Sequence, residues 1–231
     1  MKRFIFILSL CVCAGTAVAD VPVIPDSDSP NGKMHAVMDV DRDPTLSPAW
    51  KGDSFPKIEI TQKSTGRVLG SISYFGSPGD DARPLREHVR VMWRPDSEAF
   101  AINVEDRFYS SCAVYVLNRE KRFVAAPVPS DYEKMTGFPT PDPKHLRPRG
   151  RDSAVGWDER GRLIYSIFRS PRHTFSSRDP LRHTVYLEVR PTKVTPVKVE
   201  HDHGEWKNGD WVPTNAEQTN TVNPGSSKLS K

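Results

Sequence analysis

The chain reads as an all-β protein of three blade-like antiparallel units. Three observations predict this. A turn-bearing segment recurs about every 64 residues, the segments beside each turn are rich in β-branched and aromatic residues, and almost no stretch shows the 3.6-residue periodicity of an amphipathic helix.

The repeat is clearest at "WRPDSEAFAINVEDR", residues 93–107, which aligns without a gap on "SPNGKMHAVMDVDR", residues 29–42, when Pro30 is set on Pro95. Asn31 then meets Asp96, Ala36 meets Ala101, Val37 meets Ile102, and Asp41-Arg42 meets Asp106-Arg107. A third copy starts at "VGWDERGRLIYSIF", with Trp157 standing 64 residues after Trp93. Proline presets φ for a turn, Asp and Asn accept local backbone hydrogen bonds, and Gly permits positive φ, so each copy is expected to be a tight hairpin with an apolar residue at its shoulder.

Each element follows in order. In the first unit "KMHAVM" is a strand, and "KIEITQKSTGRVLGSISY" forms a hairpin around Ser64-Thr65-Gly66. In the second, "HVRVMW" and "EAFAINV" flank the Pro95-Asp96-Ser97 turn, and "CAVYVLNREKRFVAAPV" turns at Asn118-Arg119-Glu120. In the third, "LIYSIF" follows the Trp157 turn, and "HTVYLEVRPTKVTPVKV" turns near Arg190-Pro191-Thr192. Helix is expected only in "SDYEKM", where Ser130 and Glu133 have capping-box spacing.

A tryptophan, a Ser-Pro-Asp-Gly-type turn and a "VYVL"-type strand resemble the blades of the Tol-system periplasmic propeller and of prolyl-oligopeptidase propellers. The residues carrying the likeness are Ser29-Pro30-Asn31-Gly32, Trp93 to Ser97 with "AVYVL", and Trp157 with Arg160-Gly161 and "TVYLEV", spread over most of 29–199. Unit one lacks the tryptophan and unit three the proline. The resemblance implies an interaction platform or a gate over a separate catalytic domain, and it transfers no catalytic residue. Closed propellers have roughly four to eight blades. Three units therefore leave an open partial propeller, a β-sandwich of similar hairpins, or one part of an oligomeric ring, and a monomer of the first or second kind is expected.

The two ends are read from composition. Residues 1–19, with Lys2 and Arg3 before an apolar stretch and Ala17-Val18-Ala19 at its close, have the form of a cleaved signal peptide. The apolar stretch is about half of what spans a bilayer, and Leu10 before Cys11 does not fit a lipoprotein site. A periplasmic or extracellular protein without a membrane span is expected, and the absence of an Asn-x-Ser/Thr acceptor favours a bacterial envelope. Residues 20–30 and 212–231 are rich in Pro, Ser, Thr and Asn and are expected to be flexible. The repeat domain occupies 31–211. Once the leader is removed Cys112 is the remaining cysteine, too few for an internal bridge, and its β-rich surroundings suggest a buried small hydrophobe.

The formal net charge of +4 includes Lys2 and Arg3. The mature chain is thus nearly balanced, without the basic stripe of a nucleic-acid binder. No nucleic acid and no cofactor are expected. Residues 144–183 do hold ten Lys/Arg against four Asp/Glu.

If the units are equivalent, the connections 41–56, 105–111 and 169–182 leave from one side, and loops on a rigid scaffold are a usual seat of recognition. Their aromatic and polar residues, Trp50, Phe55, Arg107, Tyr109, Arg172, His173, Phe175 and Arg178, form a binding rim, or else solvated edge covers. The paired Asp41-Arg42 and Asp106-Arg107 suit a repeated structural contact or a ligand contact. Lys144, Arg147, Arg149 and Arg151 suit an anion, or neutralisation by Asp152, Asp158 and Glu159. His201, His203 and Glu205 align on one face if the segment is extended, a possible divalent-metal set. No nucleophile elbow, zinc-protease or phosphate-loop motif occurs. The expected function is an exported binding or structural module facing another envelope protein or a glycan. The alternative is a metal-assisted hydrolase on the histidine cluster.

Overall fold

The computed structural model describes residues 23–38, 57–73, 88–105, 110–140, 142, 144, 151–169, 182–202, 204–207 and 210–213. The fold is all-β. The first sheet orders β1 (Met34–Met38), β2 (Lys57–Gln62) and β3 (Val68–Ser73). The second orders β4 (Val89–Trp93), β5 (Ala99–Glu105), β6 (Ser110–Leu117) and β7 (Phe123–Ala126). The third orders β8 (Arg151–Trp157), β9 (Leu163–Phe168), β10 (Arg182–Arg190) and β11 (Lys193–Asp202). Each is an antiparallel meander, and none closes into a barrel. A separate hairpin joins β12 (Gly204–Lys207) to β13 (Asp210–Pro213).

Residues 23–30, read from composition as a flexible lead-in, are held in place. Val23 bridges Val37, Ile24 N–H donates to Ala36 O at 2.9 Å, and the Ile24 side chain is fully buried. This segment lies along β1 as the first strands of the other units lie along their second. One buried isoleucine and a run of backbone hydrogen bonds outweigh its Pro- and Ser-rich composition.

The hairpin turns repeat closely, the third being one residue shorter. The N–H groups of Ser29, Arg94 and Asp158 bond across to the carbonyls of Met34, Ala99 and Arg162, and three residues on stand Gly32, Ser97 and Gly161, with φ of 68°, 62° and 72°. Ser97 takes a left-handed conformation that favours glycine. It is also buried, and its hydroxyl accepts the Asn31 N–H of the preceding unit at 3.2 Å. The tryptophans repeat the same logic between units. Trp93 Nε1 donates to Ser27 O at 2.8 Å and Trp157 Nε1 to Met92 O at 2.9 Å. Ser27 and Met92 each lie two residues before the turn, so the two bonds are equivalent.

The middle unit is buried on both faces, which explains why β5 reads as an apolar run interrupted by Asn103 rather than an alternation. Phe100, Ile102 and Val104 join Met34, Ala36, Met38, Ile58, Ile60 and Ile72 in one core. Ala99 and Ala101, with Val114, Val116 and Ala126, join Leu163, Tyr165, Ile167, Val185 and Leu187 in the other. Two close contacts set the spacing. A Cβ on Gly70 in β3 would lie 3.0 Å from Phe123 Cβ in β7. Asn103, buried in β5, gives Nδ2 to Ala154 O at 2.8 Å and accepts Ala154 N–H at 3.0 Å, and the register of β8 shifts just beyond, between Ala154 and Gly156.

The stack stops by changing its surface chemistry. Trp93 faces Phe100 across its hairpin as Trp157 faces Leu163, so Ala99, Val114, Val116 and Ala126 of unit two correspond to Arg162, Tyr186, Glu188 and Lys198 of unit three. Where unit two presents small apolar residues to its neighbour, unit three presents charge to solvent. Arg162 and Lys198 cover the Tyr186 ring at 5.1 and 4.9 Å, and the Tyr186 hydroxyl donates to Glu200 at 3.3 Å. Terminal repeats of stacked arrays carry such polar outer faces. The edge strand β11 is further protected by Lys193, Pro196 and a register shift opposite Tyr186 and Leu187.

Candidate functional site

Every described turn within a unit, at 29–33, 62–67, 94–98, 118–122, 158–162 and 190–193, is short and lies at one edge of the stack. The described strand ends that lead into the sequence-selected rim lie at the other edge. Trp50, Phe55, Arg107, Tyr109, Arg172, His173, Phe175 and Arg178 lie outside the described residues, as do both Asp-Arg pairs. Their anchors are described: β1 ends at Met38, β5 at Glu105 and β9 at Phe168.

At this edge a cleft of about 290 Å³ separates units two and three, lined by Ser110, Ser111 and Cys112 of β6, Asp152 of β8, Tyr165, Ile167 and Arg169 from β9 and its end, and the segment containing Val128, Ser130, Tyr132 and Met135. Asp152 and Arg169 form a two-pronged ion pair. Nη1 bonds Oδ1, Nη2 bonds Oδ2 at 3.2 Å, and Nη1 also donates to Phe168 O at 3.1 Å. The Arg169 side chain is 7% exposed and that of Asp152 36%. Arg169 Nε has no hydrogen-bond partner among the described residues, and the guanidinium lies over the Tyr132 ring, 5.0 Å from its centroid. Ser110 Oγ donates to Asp152 O at 3.3 Å, tying the two units together at the cleft floor. Burial pushes the Cys112 thiol up to about 12, so it remains a thiol at neutral pH. Burial likewise raises the Tyr165 hydroxyl, with the nearby Cys112 and Asp152 adding to the effect.

The opposite wall is set by α1 (Tyr132–Thr136). Asp131, rather than Ser130, caps it: Oδ1 accepts Lys134 N–H at 3.1 Å. Asp131 has the extended backbone that an N-cap needs. Gly137, with φ 73°, closes the other end. This single turn lays Tyr132 onto the third sheet, where its hydroxyl meets His183 Nε2 at 2.6 Å and His183 Nδ1 meets His201 Nδ1 at 2.7 Å. Phe138 packs against His201 at 4.3 Å and His183 at 5.6 Å. His183 and His201 face each other across β10 and β11. A bond between the two Nδ1 atoms needs a proton on one and a lone pair on the other, so the two rings hold opposite roles in it.

The structure distributes the remaining sequence-selected residues. His201 is buried in this cluster, His203 lies outside the described residues, and Glu205 stands in β12, of which the backbone is described. β11 ends at Asp202, and β12, which begins at Gly204, pairs with β13 in the separate hairpin. Lys144 and Arg151 are both exposed, Lys144 N–H donates to Asp142 Oδ1 at 2.8 Å, and Arg147 and Arg149 are outside the described residues. Two of the three carboxylates named as neutralising that run are engaged elsewhere, Asp152 with Arg169 and Asp158 with Arg162.

The residues that sequence reasoning missed are Ser110, Ser111, Tyr132, Asp152, Arg169 and His183. Arg169 was the one legible signal, a charge immediately after the alternating "LIYSIF" strand. No hydrogen bond among the described residues joins a cleft serine or cysteine to an imidazole, and what the arrangement offers is a set of donors, acceptors and apolar surface. The fold and site together define a stacked β-repeat protein with a polar inter-unit cleft. No protein-family model matches the chain, and no curated protein matches it in sequence.

Proposed function

We propose that the protein is an exported, non-enzymatic binding module that recognises its target, another envelope protein or a glycan, along the edge holding the inter-unit cleft. The observation that carries this is the asymmetry of the two edges. The described hairpins of one edge are short and closed on themselves, whereas at the other edge, where β5 and β9 end and β6 and β8 begin, a polar cavity opens between two units. The basic, apolar and small-residue start of the chain supports export. The likeness of the repeat to propeller blades supports an interaction platform.

The test is photo-crosslinking in an intact envelope, with a photoreactive amino acid at exposed positions of either edge. Ser130 and Arg151 report the cleft edge; Lys121 and Glu159 report the hairpin edge. Adducts from the first pair alone are expected. Adducts confined to the second pair, or none from any position, overturn the reading.

A further inference from the structure

We propose that the cleft between units two and three takes one uncharged, hydroxyl-rich ring, a neutral sugar unit of a glycan; this rests on the recognition edge proposed above. Charge decides the first step. Among the described lining residues there is one cation, Arg169, and one anion, Asp152, and they are locked to each other. An anionic ligand meets the exposed carboxylate, and a cationic one meets a guanidinium already committed to its partner. Neither finds, among the described lining residues, an excess of opposite charge to offset its desolvation.

Hydrogen-bonding capacity decides the second. A carboxylate offers about four lone-pair sites, and Arg169 uses two of those on the partly exposed Asp152. None of the described residues hydrogen-bonds the Tyr165 hydroxyl, and Ser130 adds a solvent-facing hydroxyl at the mouth. Groups that both donate and accept match this lining, as the hydroxyls of a sugar do. Val128, Pro129, Met135 and Ile167 supply an apolar wall for the C–H face of such a ring. The volume of about 290 Å³ lies just below the range of small-ligand sites, roughly 300 to 1,000 Å³, and so suits one ring rather than a chain.

The experiment is calorimetric titration of the mature protein with the methyl glycosides of glucose, galactose, mannose and N-acetylglucosamine. Methyl glucuronide and a methyl glucosaminide serve as the charged counterparts. At least one neutral glycoside is expected to bind, with its charged counterpart at least tenfold weaker. Tyr165→Phe, which keeps the ring in the core, is expected to weaken binding about tenfold, the equivalent of one hydrogen bond. Ser130→Trp, which fills the mouth from an exposed position, should weaken it as well. Circular dichroism establishes that both variants are folded. The proposal is overturned if no neutral glycoside binds, if charged sugars bind as tightly, or if both folded variants bind like wild type. Should the sugars fail while Ser130 still crosslinks to an envelope protein, the ligand class falls and the recognition edge stands. If both fail, both readings go.

Discussion

Replacing Trp157 with Phe tests whether the units are joined by a repeated bond. The indole N–H reaches back to Met92 O at 2.9 Å, and the Arg94 guanidinium lies 5.8 Å from the ring centroid. Phenylalanine removes the donor, which contributes about 0.5–1.5 kcal/mol net. It weakens a cation–π contact of roughly 0.5–1 kcal/mol and leaves a small void. The summed loss is about 2 kcal/mol, against a typical total of about 5–15 kcal/mol. With a urea slope of about 2 kcal/mol/M, the midpoint followed by far-ultraviolet circular dichroism should fall by about 1 M with the slope unchanged. Trp93→Phe should lose at least as much, because Trp93 makes the equivalent bond and also packs at 5.0 Å from Phe100 and 5.6 Å from Phe123. A loss under about 0.5 kcal/mol for either variant would refute the shared joint.

Three further outcomes are expected. Gly70→Ala places a methyl group 3.0 Å from Phe123 Cβ, so the joint between units one and two must open, and thermal unfolding should show a loss of about 1–3 kcal/mol. Burial draws the Asp158 carboxyl upward, but the Arg162 and Arg160 N–H groups and the Arg162 guanidinium outweigh it and hold it below its ordinary 3.8. Its contribution is therefore present above that value and lost as pH falls through the folded one, and the stability gap between wild type and Asp158→Asn should narrow steadily in urea titrations below pH 3.8. Finally, the triple variant Arg162→Ala, Glu188→Val, Lys198→Ala gives unit three the outer face of unit two, and light scattering should find a single-chain mass for wild type and self-association for the variant.

The strands and their turns were legible because the physics that forms them is local. Pro30, Pro95, Gly32 and Gly161 announce turns by backbone preference alone, and the β-branched runs beside them have nowhere else to go. The lead-in at 23–30 was not legible, since its order depends on Ile24 finding a core supplied by β1, β2 and β5. The cleft was hidden for the same reason. Asp152 stands next to a run of arginines in sequence, yet strand pairing between β8 and β9 places it against Arg169. Ser130 had the spacing of a capping box, but Asp131 adopts the extended backbone of the cap.

The choice among ring, sandwich and open stack turns on the outer faces, not on the number of units. A ring of several chains would have to seat the first unit of one copy on the third unit of the next. Every existing joint in this chain uses an apolar face and a tryptophan reaching back to the preceding unit. Unit three offers Arg162, Glu188 and Lys198 where Ala99, Val116 and Ala126 make the working joint, and unit one has no tryptophan to extend. On its own outward face, unit one sets His35 opposite Thr61, and Glu59 between Val37 and Ser71, across β1, β2 and β3. The unit-three end thus lacks the apolar face that the internal joints use, and the cavity lies at the edge where β5 and β9 end. There the joint between units two and three widens into a cavity whose wall includes the segment carrying α1.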